Sequence, residues 1–120
     1  MNLIITVVIF HFTLVAPKIL SSSGNTTITE KSQATLHCVA SGNPQVDIAW
    51  TKSGVPFTGG EILVITNTST FPYVTDSKLK IETINRTDSG VYQCKAENGI
   101  GSDVVANIEV TVQCKFNCVL

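Results

Sequence analysis

Between the N-terminal apolar run and residue 113, apolar and polar positions alternate with a period of two. Glycine, proline, asparagine and serine interrupt them at short intervals, and no stretch keeps a 3.6-residue period long enough for a helix. The pattern predicts an all-β chain. Along 32–40, Ala34, Leu36, Cys38 and Ala40 fall on one face and Thr35, His37 and Val39 on the other, so the first group should line a core. Gly42-Asn43-Pro44 then turns the chain. Residues 47–52 put Ile48 and Trp50 on one side and Ala49 and Thr51 on the other. A short edge piece is expected at 55–57, between Ser53-Gly54 and Gly59-Gly60. A second edge strand, rich in β-branched residues, is expected at 61–66. Residues 77–82 alternate Leu79 and Ile81 against Lys78, Lys80 and Glu82, and Ile84 is placed to plug the end of the core. Along 91–97, Tyr92, Cys94 and Ala96 share the inner face. Asn98-Gly99-Ile100-Gly101 supplies a hairpin, and 104–113 alternates Ile108, Val110 and Val112 against Asn107, Glu109 and Thr111. Seven or eight short strands are expected.

Ahead of this pattern lies an apolar stretch of roughly 14 residues, from Leu3 to Ala16, which fits the core of a secretory leader and falls short of a membrane span. Small residues at Ser21 and Ser23 predict cleavage there, with residues 1–23 as leader and Gly24 as the mature start. A leader places the chain outside the cell or on its surface. About 97 residues remain, the size of one β-sandwich domain at 24–113. Eight basic and nine acidic side chains give a net charge of −1, which supplies neither the basic footprint of a nucleic-acid binder nor a polybasic membrane patch.

Trp50 stands twelve positions after Cys38, and Asp88-Ser89-Gly90-Val91-Tyr92-Gln93 leads directly into Cys94. With Gly42-Asn43-Pro44, Ile48-Ala49-Trp50-Thr51-Lys52, Leu79-Lys80-Ile81, Lys95-Ala96-Glu97-Asn98 and Gly101, these motifs cover nearly everything from 29 to 112. In this order they resemble the immunoglobulin superfamily. Within it they are similar to the I-set type found in cell adhesion molecules, axon guidance receptors and matrix proteins. The resemblance implies an all-β, two-sheet antiparallel Greek-key immunoglobulin-like sandwich. It implies a Cys38–Cys94 disulfide with Trp50 packed on the sulfurs, Leu79 in the core, and Tyr92 in a tyrosine corner near Asp88. Such a cross-link should contribute about 4 kcal/mol in the chain-entropy model. Many members pair the aspartate matching Asp88 with an arginine, and 61–66 contains none. The function implied is protein recognition in adhesion or ligand binding, with a spacer role in a longer extracellular array as the alternative.

Chemistry finds little purchase. After the leader His37 is the only histidine, and it is expected to face solvent, so no hydrolytic triad can be assembled. With Cys38 and Cys94 committed to each other, Cys114-x-x-x-Cys118 offers half of a four-ligand metal site. Gly59-Gly60 and Gly99-Ile100-Gly101 read as turns rather than phosphate loops. No enzyme activity, cofactor, metal, small-molecule substrate or nucleic acid is expected. The expected partner is a protein, either a second copy or another immunoglobulin-like domain.

Three acceptor sequons, Asn25-Thr26-Thr27, Asn67-Thr68-Ser69 and Asn85-Arg86-Thr87, are expected on one sheet or at the ends of the sandwich. The opposite sheet would then be free of glycan. It would display Ala49, Thr51, Val91, Gln93, Lys95, Asn107 and Glu109, a surface of small and weakly charged side chains on which a partner could lie. Phe57, Phe71 and Tyr73 form a second candidate patch. In the tail at 114–120, the three residues between Cys114 and Cys118 could close a small ring if they bend, but an extended backbone would hold the α-carbons roughly 13 Å apart, too far to bridge, and free thiols are expected. Cys114-Lys115-Phe116 can be encoded by TGT-AAG-TTT, which contains the intron start GTAAGT, so the tail is read as unspliced intron sequence.

Overall fold

The structure, a computed structural model, describes residues 13–116. Its strands are β1 (Val15–Ser22), β2 (Thr26–Thr29), β3 (Ala34–Asn43), β4 (Asp47–Lys52), β5 (Val55–Pro56), β6 (Glu61–Asn67), β7 (Tyr73–Ile81), β8 (Gly90–Glu97) and β9 (Val104–Gln113). The one helical element among the described residues is a 3-10 turn at Arg86–Asp88. A four-stranded sheet runs β1-β3-β7-β6, and a five-stranded sheet runs β2-β9-β8-β4-β5. Consecutive strands β3 and β4, and again β7 and β8, lie in different sheets, which is the Greek-key sandwich expected from the resemblance. Every ladder is antiparallel except β2 against β9.

The alternation selects the core. Leu36, Cys38 and Leu79 from one sheet meet Trp50, Tyr92, Cys94 and Ile108 from the other, all buried, and Ile84 closes one end with no exposure. The Cys38–Cys94 disulfide crosses the sheets with α-carbons 6.5 Å apart. The Trp50 Nε1 donates to Ser77 Oγ at 2.9 Å, so the indole ties its sheet to β7 and leaves no buried donor of its own unpaired.

In several places the structure departs from the sequence-based expectation. Val15–Ser22, within the span expected as leader, forms β1, paired with β3 from Val15↔Asn43 to Ser22↔Cys38, so the sheet begins ahead of the expected boundary at Gly24. Val15, Pro17 and Ile19 alternate inward, and Ile19 packs on the core. This short alternation was hidden because it continues directly from an apolar run. Residues 1–12, which hold most of the expected leader core, lie outside the described residues.

β3 runs on to Asn43, through the residues expected to form a turn. The chain then passes a cis Asn43–Pro44 bond, and Asn43 Nδ2 donates to the Thr13 carbonyl at 2.6 Å. His37 is half-buried rather than solvent-facing. Ser23 Oγ lies 3.1 Å from its Nδ1 and accepts its backbone N–H at 2.8 Å. Cys114 is disulfide-bonded rather than a free thiol, and the chain bends at Lys115 and Phe116 instead of continuing extended. Cys118 lies outside the described residues.

Candidate functional site

The outer face of the five-stranded sheet is the candidate site. Strand register sets its rows: Thr51 opposes Gln93, which opposes Asn107, and Ala49 opposes Lys95, which opposes Val105. Side chains alternate across a strand, so Tyr92, Cys94 and Ala96 point into the core while Val91, Gln93 and Lys95 point out. Ala49, Thr51, Gln93, Lys95 and Asn107 therefore come together on one surface, as the sequence suggests. The outward position of Val105, opposite Lys95, escaped the sequence reading, although the alternation with Asn107 along 104–113 carries that signal.

Several polar groups on this surface satisfy one another. Gln93 Nε2 donates to Asn107 Oδ1 at 3.0 Å. The Lys95 ammonium lies 3.2 Å from Asp103 and 3.7 Å from Glu97. Its pKa is raised, first by the hydrogen bond and charge of Asp103 and then by Glu97. Val91 and Val105 add exposed apolar area at 46% and 49%. Pairing Lys95 with Asp103 and Glu97, beside two exposed valines, lowers the cost of desolvating this part of the face, while Glu109, opposite Val91, adds an exposed charge at its margin.

The sheet is held rigid from below. Tyr92 Oη donates to the Asp88 carbonyl at 2.7 Å, which is the tyrosine corner. Burial, and after it the nearby Asp88 charge, push the Tyr92 phenol up to about 12. The Asp88 carboxylate accepts the Asn85 backbone N–H at 2.7 Å and closes the 3-10 turn. Lys52 Nζ donates to the Thr87 carbonyl at 2.7 Å from the neighbouring strand end.

The sequons divide differently from expectation. Asn67 ends β6 and Asn85 precedes the 3-10 turn, where its Oδ1 accepts from Lys31 Nζ at 2.9 Å. Asn25, however, borders the five-stranded sheet, and its Oδ1 accepts the Glu109 backbone N–H at 3.0 Å. The expectation that this sheet carries no acceptor is thus corrected. The chain leaves β1's sheet and joins β9 in parallel as β2, a crossing that period-two patterning cannot reveal. The acceptor sits at the β2–β9 edge, away from the rows centred on β4 and β8.

In the second candidate patch, Phe57 turns inward and meets Tyr92 edge-on at 5.3 Å, so it caps the core. Phe71 stays 57% exposed and meets Tyr73 edge-on at 6.1 Å. Among the described residues no cluster of three or more His, Cys, Asp or Glu side chains could hold a metal ion. No helix there is long and apolar enough to cross a membrane.

The sandwich, its inter-sheet disulfide, the indole beside it and the tyrosine corner define a domain of the immunoglobulin type. The model of the immunoglobulin domain matches residues 16–98, and the chain belongs to that family. It is 38% identical over 87 residues to MAM domain-containing glycosylphosphatidylinositol anchor protein 1 of Rattus norvegicus, covering 72% of this chain and 8% of that protein. It is 34% identical over 93 residues to the cell adhesion molecule Dscam1 of Drosophila melanogaster, covering 78% of this chain and 4% of that protein. Limbic system-associated membrane protein of Gallus gallus is 37% identical over 101 residues, covering 82% of this chain and 25% of that protein. The chain thus spans a quarter or less of the length of these relatives. Among solved structures, titin domain M7 superposes with a TM-score of 0.70 at 26% identity, covering 86% of this chain and 99% of that one. The tandem immunoglobulin repeats of Dlar give 0.68 at 29% identity, covering 82% and 48%.

Proposed function

We propose that this chain is an extracellular, I-set-type protein-recognition module that docks a flat protein surface, such as another immunoglobulin-like domain, on the outer face of its five-stranded sheet. One observation carries the reading: Ala49, Thr51, Gln93, Lys95 and Asn107 lie together with Val91 and Val105 on one sheet face, where Gln93 bonds Asn107 and Lys95 is paired with Asp103. The adhesion-type relatives support a role at the cell surface. Glycans at Asn67 and Asn85 would leave this face open, and one at Asn25 would flank its β2–β9 edge without covering β4 and β8.

Export requires the leader to end ahead of Val15, because a cut at 21–23 would strip β1 from the sheet. N-terminal sequencing of the exported chain checks this. The short span relative to the relatives favours, as a second reading, one module of a longer array whose binding lies elsewhere.

The test is capture by a panel of adhesion-type immunoglobulin ectodomains, with this chain included. Replacing Thr51 and Gln93 by arginine should lower capture tenfold or more, about 1.4 kcal/mol, while leaving the melting temperature unchanged. Unchanged capture, with loss on altering Phe71 or Tyr73, overturns the sheet-face reading.

A further inference from the structure

A strand at the end of a sheet leaves alternate N–H and C=O groups unpaired, and proteins guard such edges with prolines, lysines, bulges or short strands. The edges here are unequal. β1 carries Pro17 and Lys18 and two register shifts. β2 has four residues, and β5 has two, one of them Pro56. β6 has none of these guards: its seven residues, EILVITN, pair with β7 without a register shift, from Glu61↔Lys80 to Asn67↔Val74.

β6 is also apolar on both sides. Ile62, Val64 and Thr66 oppose the inward Leu79, Ser77 and Thr75, so they lie on the core side of the sheet. Yet Ile62 is 42% and Val64 55% exposed, because the facing sheet ends in the two-residue β5 and does not reach over them. On the outer side Leu63 and Ile65 are 49% and 70% exposed.

We propose that β6 is a homotypic pairing edge, at which two copies of this chain join antiparallel, β6 to β6, into one continuous sheet. The occupant is argued from the strand's own sequence. With Val64 opposite Val64 of the second copy, Leu63 meets Ile65, Ile62 meets Thr66 and Glu61 meets Asn67. Apart from the end pairs of Glu61 with Asn67, every opposed pair is then apolar or β-branched, combinations that stabilise cross-strand contact, and no like charges meet. A parallel arrangement in register would instead set Glu61 against Glu61. Antiparallel joining also brings Ile62 and Val64 of both copies onto one side, where each covers surface the facing sheet leaves open. Asn67 alternates with Thr66 onto the outer face, so a glycan there would project from the sheet face rather than along the pairing edge.

Each molecule offers one such edge, so association closes at a two-fold dimer. A single added strand buries less than the roughly 800 Å² per partner of a standard interface, so the dimer is weak alone and depends on display at high density. This surface is separate from the five-stranded face, and arginine at Thr51 and Gln93 should leave it intact.

The experiment is sedimentation equilibrium of the exported chain across concentration, with two variants, Val64→Lys and Val64→Glu, each checked for an unchanged melting temperature. Because Val64 faces itself across the pair, each variant alone sets like charges in opposition and should be monomeric. An equimolar mixture of the two should dimerise again. A parent monomeric at millimolar concentration, variants that still dimerise, a mixture that stays monomeric, or growth beyond the dimer would each overturn the proposal.

Discussion

The face of the five-stranded sheet and the β6 edge of the four-stranded sheet both expose aliphatic side chains, but they present them differently. On the face, Val91 lies on the central strand β8, which β4 and β9 flank on both sides, and the neighbouring Gln93 and Asn107 already bond one another. At the edge, the side chains have no polar neighbour on β6 except at its ends, and the backbone has one ladder only. The face can discriminate partners by side-chain shape and hydrogen bonds. The edge offers main-chain hydrogen bonds to any compatible strand, and selectivity there comes from register. Exposed apolar area alone therefore does not identify the kind of partner; the hydrogen-bonding state of the backbone beneath it does.

The two surfaces share one core, and the largest expected effect removes both. Trp50→Ala should cost about 3–5 kcal/mol from the lost packing and strand Ser77 without its donor, abolishing partner capture and dimerisation together. Thermal denaturation with both binding assays checks it. If either activity survived, that surface would not depend on the intact sandwich. Next in size, Thr51→Arg with Gln93→Arg should lower partner capture at least tenfold while the β6 dimer's sedimentation profile stays that of the parent.

Smaller is the tyrosine corner. Tyr92→Phe should cost about 1–2 kcal/mol by leaving the Asp88 carbonyl without its donor. The phenol also predicts a pH dependence. The unfolded chain releases its Tyr92 proton near 10.0, but the folded chain holds it to about 12. Stability from this group is fully present below pH 10 and is lost as pH rises through the folded value. Melting temperature against pH should fall less steeply over that window in Tyr92→Phe than in the parent. Smallest is Ser23→Ala, which removes the acceptor of the His37 N–H and should cost about 1 kcal/mol. A change indistinguishable from zero would show that the junction after β1 contributes little to the four-stranded sheet.

What was legible in the sequence follows from the range of the interactions. Cys38, Trp50, Tyr92 and Cys94 sit in strands whose alternation is local, and both the core and the rows of the sheet face follow from it once strands β4, β8 and β9 are neighbours. β1 was illegible because its inward Val15, Pro17 and Ile19 continue an apolar run that reads as leader. Asn25 was assigned to the wrong sheet because β2's parallel partner, β9, lies more than 80 residues away in sequence, as the Asn25–Glu109 bond spanning 84 positions shows. The overhang of β6 was hidden for a related reason, since the exposure of Ile62 and Val64 depends on how far the facing sheet reaches.

The separation of the two surfaces is tested most directly by amide chemical shifts of the isotopically labelled chain on concentration, without added partner. Shifts are expected along β6, at Ile62 to Thr66, and in adjacent β7, with Thr51, Gln93, Lys95 and Asn107 unmoved. Shifts centred on those four residues, with β6 silent, would contradict that separation by making the sheet face the self-associating surface.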